Sequence, residues 1–137
     1  MSEVHEKPHA LSATLGLEKV VDHGENGRAV LHYRARMDHC HSGGVVQGGF
    51  VTGWIDAAMA HLVMAKTGYQ FSPLTLEIKV SFLQSAAPGL IVAEAWIERM
   101  GKSTAFLEGL IRNEKGEVLA KGSSTVRLVP LPKGPLL

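Results

Sequence analysis

Cysteine and long apolar runs are scarce in this chain of 137 residues. The single cysteine, Cys40, excludes an internal disulfide framework, and five methionines without a disulfide fit a reducing compartment better than a secreted one. The longest apolar stretch, residues 50–65, is interrupted by Gly53, Asp56 and His61. Because it falls short of the roughly 20 apolar residues that cross a bilayer, we expect a buried soluble helix and no membrane insertion.

An excess of charge of either sign is also lacking. The 14 basic and 13 acidic residues are spread along the chain, which excludes a broad basic surface for nucleic acid. The polar N-terminus lacks the apolar core of a signal peptide, which favours a cytoplasmic location. The length and the even composition predict a single domain over residues 1–137, with residues 1–10 and 130–137 as flexible ends.

The spacing of apolar residues predicts an α+β fold. Alternating apolar and polar residues on both sides of "HGENG" predict strands Ala13–Asp22 and Arg28–Met37, joined by a tight turn. A continuous apolar pattern predicts a long helix from about Gln47 to Lys66, ended by Gly68. Alternation then returns and predicts four antiparallel strands, over residues 74–86, 90–100, 103–113 and 117–129. We expect these strands, about six in all, to wrap the helix, because nothing else in the chain can cover it.

One acid, Asp56, stands inside this apolar helix. The apolar residues around it leave no continuous polar side, a pattern typical of a helix that is covered all round. A lone ionised carboxylate there is unfavourable unless it is hydrogen-bonded, paired or protonated, and burial raises its pKa. Two roles remain open for Asp56: a structural acid bonded to a strand or a neighbouring chain, or a general base or nucleophile in a dry pocket.

A glycine pair, Gly48 and Gly49, falls at the start of the same helix. Backbone N–H groups are unpaired there, so the pair either holds a developing oxyanion or only permits a sharp turn. Eight residues of helix put the Cα atoms of Gly48 and Asp56 about 12 Å apart, too far for both groups to act on one carbonyl. Two antiparallel helices related by a twofold axis would bring Gly48 of one chain to Asp56 of the other. The small residues Gly49 and Gly53 would allow that approach, which predicts a homodimer with two shared sites.

The segment "GGVVQGGFVTGWIDAAM" resembles the G-x-x-H-G-G-x-x-x-x-x-x-D segment of hotdog-fold acyl-CoA thioesterases of the phenylacetate-degradation (PaaI) group. The likeness runs from about Leu15 to Leu128 and includes "VSFLQSAAPG" and "RMGKSTAFLEGLIRNEKGEVLAKGSSTV". It implies a helix wrapped in a curved antiparallel sheet, paired as a homodimer and often as a homotetramer. It also implies hydrolysis of an acyl-CoA thioester, with no metal or redox cofactor, since coenzyme A enters as part of the substrate.

The resemblance also implies roles for five residues. Gly48 matches the glycine whose N–H polarises the thioester carbonyl, and Asp56 matches the acid that attacks it or activates water. Thr75 resembles the hydroxyl position that orients this water. Two positions depart from the family pattern: Gln47 replaces the histidine of H-G-G, and His41 replaces a loop asparagine. The amide of Gln47 can still donate a hydrogen bond. His41 would orient water or the thioester as the asparagine does, or bind some other group, and its ionisation would add a pH dependence near neutrality.

Coenzyme A carries phosphates, which need positively charged or N–H-rich turns nearby. The segments "MGKS" and "AKGSS" meet this need, and the resemblance puts both near the path of coenzyme A. The predicted contacts with coenzyme A are Gly49, Lys102, Ser103, Lys121, Gly122 and Ser123.

Two other functions remain open. In a non-hydrolytic acyl-CoA binding protein, the same pocket would hold a thioester and Asp56 would be only a structural acid. A hotdog-fold enoyl-CoA hydratase normally needs an Asp and a His on one loop, which Asp38 and His41 imitate faintly. The run "DHCH" is followed by no second ligand cluster, which argues against a metal site. The residues available to line a medium-chain or aromatic acyl pocket are Trp54, Met59 and Phe82.

Overall fold

The apolar segment after Gln47 forms a long helix, and a sheet wraps around it. The computed structural model describes residues 9–132. This range contains two α-helices, α1 (Ala10–Leu15) and α2 (Gly48–Lys66), a short 3-10 helix (Met37–His39) and eight strands, β1 (Leu17–Asp22), β2 (Arg28–Ala35), β3 (Cys40–His41), β4 (Val45–Val46), β5 (Phe71–Phe82), β6 (Gly89–Met100), β7 (Thr104–Asn113) and β8 (Val118–Pro130). Six strands form one antiparallel sheet in the order β1, β2, β6, β7, β8, β5, and β3 pairs with β4. Since β2, β5, β6, β7 and β8 all pack against α2, the predicted α+β fold is confirmed.

One side of α2 is buried against the sheet. Trp54 is fully buried, and its indole N–H donates a 2.8 Å hydrogen bond to the carbonyl of Leu15. Beneath this side, Gly109 of β7 lies opposite Gly122 of β8. A Cβ on either glycine would lie 3.1 or 3.3 Å from a methyl carbon of Ile55, so the two glycines let α2 approach the sheet closely. The buried residues of α2 are Val51, Trp54, Ile55, Ala58, Met59, Leu62, Val63 and Ala65.

The opposite side of α2 is a stripe of mostly small residues that the sheet leaves uncovered. We call it the small-residue stripe; its members, none of them buried, are Gly49, Thr52, Gly53, Asp56, Ala57, Ala60, His61 and Met64. The expectation that α2 is covered all round is therefore wrong for a single chain, because one layer of sheet covers only one side of a helix.

The N-terminal segment corrects the predicted first strand. Residues Ala10–Leu15 form α1, and β1 begins only at Leu17. His9 caps α1 by accepting a hydrogen bond from the backbone N–H of Leu11, and Gly16 ends it with a φ of 78°. Of the predicted flexible ends, residues 1–8 and 133–137 lie outside the described residues. None of the helices within residues 9–132 is long and apolar enough to cross a membrane.

Strand β5 lies at one edge of the sheet, and among the strands of residues 9–132 it pairs only with β8. It begins at Phe71, before the predicted start at residue 74, because an edge strand tolerates the missing N–H of Pro73. A register shift between Thr75 and Glu77 marks a β-bulge. The large apolar side chains at this edge are between 53% and 59% exposed; they are Leu74, Leu76, Phe82 and Leu83. The β5 edge is thus an unpaired surface with apolar character.

Candidate active site

Asp56 lies half-buried in the middle of α2 and faces Thr75 of β5. The Thr75 hydroxyl donates a hydrogen bond of 3.4 Å to Oδ1 of Asp56. Burial raises the pKa of the Asp56 carboxyl, and the hydrogen bond from Thr75 lowers it in part. The β-bulge just after Thr75 alters the direction of the strand at this point. The structure therefore brings together two of the residues predicted for the site.

The start of α2 presents backbone N–H groups without acceptors in residues 9–132. Gln47 is the N-cap residue and makes no side-chain cap hydrogen bond, while its carbonyl accepts from Phe50. The N–H groups of Gly48 and Gly49 are therefore free for a ligand. The Gln47 side chain folds over the helix start, since its Oε1 lies 2.8 Å from the position of a Cβ on Gly49. This end of α2 can bind a negatively charged oxygen.

The two halves of the site lie on one helix but too far apart to act together. Gly48 is the first residue of α2 and Asp56 lies eight residues further on. At 1.5 Å per residue, their Cα atoms are about 12 Å apart. Within one chain, a carbonyl bound at Gly48 is therefore out of reach of the Asp56 carboxylate.

His41 lies on the short hairpin that leads into α2. Strand β3 pairs with β4, which puts His41 opposite Val45, two residues before Gln47. Its side chain is exposed, and Nδ1 lies 3.0 Å from the carbonyl oxygen of Ser42. The glycines of the turn, Gly43 and Gly44, have φ values of 86° and 73°, which L residues with side chains rarely adopt. The hairpin holds His41 beside the entry to α2.

His39 is a structural residue that the sequence did not reveal. It is 1% exposed and packs against the rings of Phe50 and Trp54. Its Nδ1 accepts from the N–H of Arg36, so Nε2 carries the proton and donates to the carbonyl of Thr14 at 2.8 Å. Both ring nitrogens are thus engaged within the protein. No signal in "DHCH" separates this buried histidine from its exposed neighbours.

The residues predicted to contact coenzyme A lie in two places. Lys102 and Ser103 are exposed in the turn between β6 and β7. Lys121 is exposed and Ser123 half-buried on β8, opposite Ser81 and Lys79 of the edge strand. Gly49 lies at the start of α2, beside Gln47. Gly122 is buried under Ile55 on the helix side of the sheet, so the structure gives it a packing role.

Of the three residues expected to line an acyl pocket, only Phe82 is accessible. Trp54 and Met59 are 0% and 1% exposed and belong to the core. Phe82 is 55% exposed at the end of β5. Its ring lies over the start of α2, since two ring carbons are 3.3 Å from the position of a Cβ on Gly48. Trp54 and Met59 are therefore excluded from the pocket lining in this chain.

His61, on the small-residue stripe of α2, pairs with another histidine. Its Nε2 lies 3.0 Å from Nδ1 of His23, in the turn between β1 and β2. Burial lowers the pKa of His61, and the nearby His23 lowers it further. The same turn is joined to α2 by a hydrogen bond from Lys66 Nζ to the carbonyl of Glu25. His61 therefore fastens the β1–β2 turn to the helix and does not contact Asp56.

Comparison with known proteins gives the family. The sequence profile of the thioesterase superfamily matches residues 43–120, more than half of the chain. A comparison with curated proteins gives no match. Among solved structures, the chain is similar to a phenylacetic acid degradation-related protein from Ralstonia eutropha, with 31% identity, a TM-score of 0.79 and coverage of 89% of this chain and 92% of that one.

Two more distant structures share the fold. The PaaI protein from the phenylacetic acid degradation operon of E. coli has 18% identity and a TM-score of 0.79, with 93% of this chain and 89% of that chain covered. AziG of S. sahachiroi has 16% identity and a TM-score of 0.82, with 91% of this chain and 100% of that chain covered. The chain therefore belongs to the thioesterase superfamily and has the hotdog fold.

Proposed function

We propose that this protein hydrolyses acyl-CoA thioesters to a free acid and coenzyme A, at two sites shared between the subunits of a homodimer. The observation that carries the proposal is a half-buried carboxyl group, Asp56, on a helix that begins with the free N–H groups of Gly48 and Gly49. Burial raises the pKa of Asp56, which makes its carboxylate a stronger base. Membership of the thioesterase superfamily supports the same class of reaction.

The chemistry needs one group from each end of α2. The N–H of Gly48 donates to the thioester carbonyl oxygen and stabilises the negative charge that develops on it. Asp56 either takes a proton from a water that attacks the carbonyl carbon, or attacks the carbon itself to give an anhydride that water cleaves. The C–S bond breaks, and the coenzyme A thiolate leaves and takes up a proton.

Three further residues position the reacting groups in this proposal. Thr75 orients the attacking water, because its hydroxyl already bonds to the carboxyl of Asp56. Gln47 lies at the helix start, where its amide can donate to the thioester carbonyl beside the N–H of Gly48. His41 stands on the hairpin next to that start and contacts the water or the thioester.

Two unpaired surfaces support the homodimer. The small-residue stripe of α2 carries Asp56, and its glycines and alanines allow a second helix to pack closely. The β5 edge exposes backbone groups and apolar side chains, and a second β5 would extend the sheet. An antiparallel pairing across both surfaces brings Gly48 of one subunit towards Asp56 of the partner, which overcomes the separation of about 12 Å along one helix.

Coenzyme A carries phosphates, and two exposed lysines and their neighbouring serines are available to bind them. Lys102 and Ser103 in the β6–β7 turn, with Lys121 and Ser123 on β8, are accessible for such contacts. In our proposal they bind the phosphates of coenzyme A, while Gly49 contacts it near the thioester.

The test is release of free thiol from a panel of acyl-CoAs by the purified protein. We expect turnover by the native chain and a loss of about 10²- to 10⁴-fold in kcat for Asp56→Asn, which removes the base but keeps the shape. The matched control is Asp38→Asn, because the side chain of Asp38 is 83% exposed and lies outside the proposed site. It should retain full activity.

Each rival function gives its own result. Binding of acyl-CoA without thiol release by the native chain would indicate a binding protein. Loss of the conjugated enoyl absorbance of crotonyl-CoA without thiol release would indicate a hydratase. Turnover that survives Asp56→Asn would contradict the proposed role of Asp56, and a monomer by light scattering would contradict the shared site.

A further inference from the structure

A cleft of about 390 Å³ opens directly beside the N–H groups at the start of α2. One wall comes from β4 and α2, and the other comes from the end of β5 and the residues that follow it. The lining residues are Val45, Val46, Gly48, Val51, Phe82, Leu83, Gln84, Ser85 and Ala86. Gly48 is therefore both the proposed donor to the thioester carbonyl and part of the cleft wall, so a group attached to that carbonyl can extend into the cleft.

The lining of the cleft is apolar and carries no charge. Valine, phenylalanine, leucine and alanine side chains provide most of it, and the polar members are only Gln84 and Ser85. The Gln84 side-chain amide donates a hydrogen bond to the carbonyl of Val118 on β8, so this amide already has a partner within the protein. A ligand with its own carboxylate would find no lysine or arginine in this lining to replace its hydration. The chemistry of the lining thus suits a neutral, apolar group.

Phe82 stands where it limits the size of that group. Its ring is in contact range of Gly48, since two ring carbons lie 3.3 Å from the position of a Cβ there. Phe82 is also 55% exposed in the single chain, so part of its side chain is free to contact a ligand. The volume of the cleft lies near the lower end of the range of about 300 to 1,000 Å³ that ligand pockets occupy. We expect a long acyl chain that extends from a carbonyl bound at Gly48 to collide with the Phe82 ring.

We propose that this cleft is the acyl subsite and that Phe82 determines which acyl groups enter it. The substrates are neutral medium-chain or aromatic acyl-CoAs, and long-chain and dicarboxylic acyl-CoAs are rejected. The proposal rests on the thioesterase function proposed above and adds the position of the acyl group and the residue that selects it.

The experiment measures kcat/KM for straight-chain acyl-CoAs of increasing length, with phenylacetyl-CoA, benzoyl-CoA and succinyl-CoA added. Phe82→Ala should raise the ratio of long-chain to medium-chain kcat/KM about tenfold or more, because pocket contacts of this size change selectivity by about 10- to 200-fold. Phe82→Trp should shift the preference towards shorter chains. Succinyl-CoA should be a poor substrate for the native chain and for both variants.

Phe106→Ala is the matched control, because Phe106 is also an exposed phenylalanine on a strand, at 45%, but does not line this cleft. It should leave the order of substrates unchanged. The acyl-subsite proposal is overturned if Phe82→Ala changes kcat/KM for all substrates by one factor, as a coenzyme A contact would. It is also overturned if Phe106→Ala shifts the selectivity equally.

Binding separates this proposal from the thioesterase function. The Asp56→Asn protein should bind the same acyl-CoAs with a chain-length preference, and adding Phe82→Ala should shift that preference towards longer chains. A shift in binding without any turnover by the native chain would support the acyl subsite and contradict the hydrolysis. Turnover by the native chain with unshifted binding in the double variant would support hydrolysis and contradict the acyl subsite.

Discussion

The hydroxyl of Thr75 donates a hydrogen bond of 3.4 Å to Oδ1 of Asp56, from an edge strand to the middle of the central helix. This contact opposes the effect of burial, which raises the pKa of the carboxyl. Burial makes the Asp56 carboxylate a stronger base, and the hydrogen bond from Thr75 stabilises its ionised form. The balance between these two effects determines the pH range in which the proposed base can act.

Replacing Thr75 should move the pH dependence of the reaction. A base acts only when ionised, so the acid limb of kcat/KM should lie above the ordinary aspartate pKa of about 3.9. Thr75→Val removes the hydrogen bond that lowers the pKa of Asp56, and the limb should move to higher pH. Thr75→Ser keeps the hydroxyl and should leave the limb in place. A limb that stays fixed or moves to lower pH in Thr75→Val would contradict this role.

The Asp56 carboxylate should also lower the stability of the fold at neutral pH. Because its pKa is raised in the folded state, the folded protein binds more protons than the unfolded chain between the two pKa values, and stability falls as pH rises through that window. Asp56→Asn should therefore be more stable than the native chain at pH 7. The difference in the free energy of unfolding, measured in urea, should disappear below about pH 3.9. A native chain that is more stable than Asp56→Asn at pH 7 would indicate a satisfied structural acid instead.

The N–H of Gly48 can be removed without breaking α2. Proline is tolerated as the first residue of a helix, and Gln47 before it has a φ of −65° and a ψ of 139°, which suit a residue that precedes proline. Gly48→Pro should lower kcat by about 10²- to 10³-fold, the usual effect of losing one oxyanion donor. Gly48→Ala makes the same contact with Phe82 but keeps the N–H, so it should lose far less. Equal activity of the two variants would exclude Gly48 as a donor.

Gly122 should prove to be a packing residue. A Cβ there would lie 3.0 Å from the carbonyl oxygen of Lys79 and 3.3 Å from a methyl carbon of Ile55. The first contact is with backbone, so relieving it requires the paired strand to shift. Gly122→Ala should destabilise the fold by about 1 to 3 kcal/mol in urea unfolding, as other overpacking changes do. The control is Gly101→Ala, whose Cβ would meet only the carbonyl of Thr104, at 3.4 Å. An unchanged stability with a higher KM would restore the predicted contact with coenzyme A.

The elements of the fold could be predicted from the sequence, because long periodic segments determine them. The helix from Gln47 to Lys66 agrees with α2 to within one residue. The short helix α1 could not be predicted, since six residues contain too few turns for a helical period to show. The start of β5 before Pro73 could not be predicted either, because the edge position that tolerates a proline is known only once the order of the strands is known.

The site was predictable only in part. The apolar character of α2 on all sides left no pattern to show which side faces the sheet, so Trp54 and Met59 could not be distinguished from residues of a pocket. Asp56 could be identified because an ionised carboxylate is unfavourable in an apolar helix unless it is hydrogen-bonded, paired or protonated. Its contact with Thr75, 19 residues away, depends on the path of β5, and only the resemblance to the family indicated Thr75 as a site residue.

A mixture of two inactive variants should recover activity if the sites are shared. Asp56→Asn keeps the donor at Gly48, and Gly48→Pro keeps the acid at Asp56. A dimer of one chain of each kind has one complete site and one site with neither group. With equal mixing, half of the dimers are mixed and each has one active site, so the activity should reach about a quarter of the native value. Subunit exchange on mixing the purified variants, followed by thiol release, measures this recovery. If both groups came from one chain, no pairing would assemble a complete site, and the mixture would be as inactive as its components.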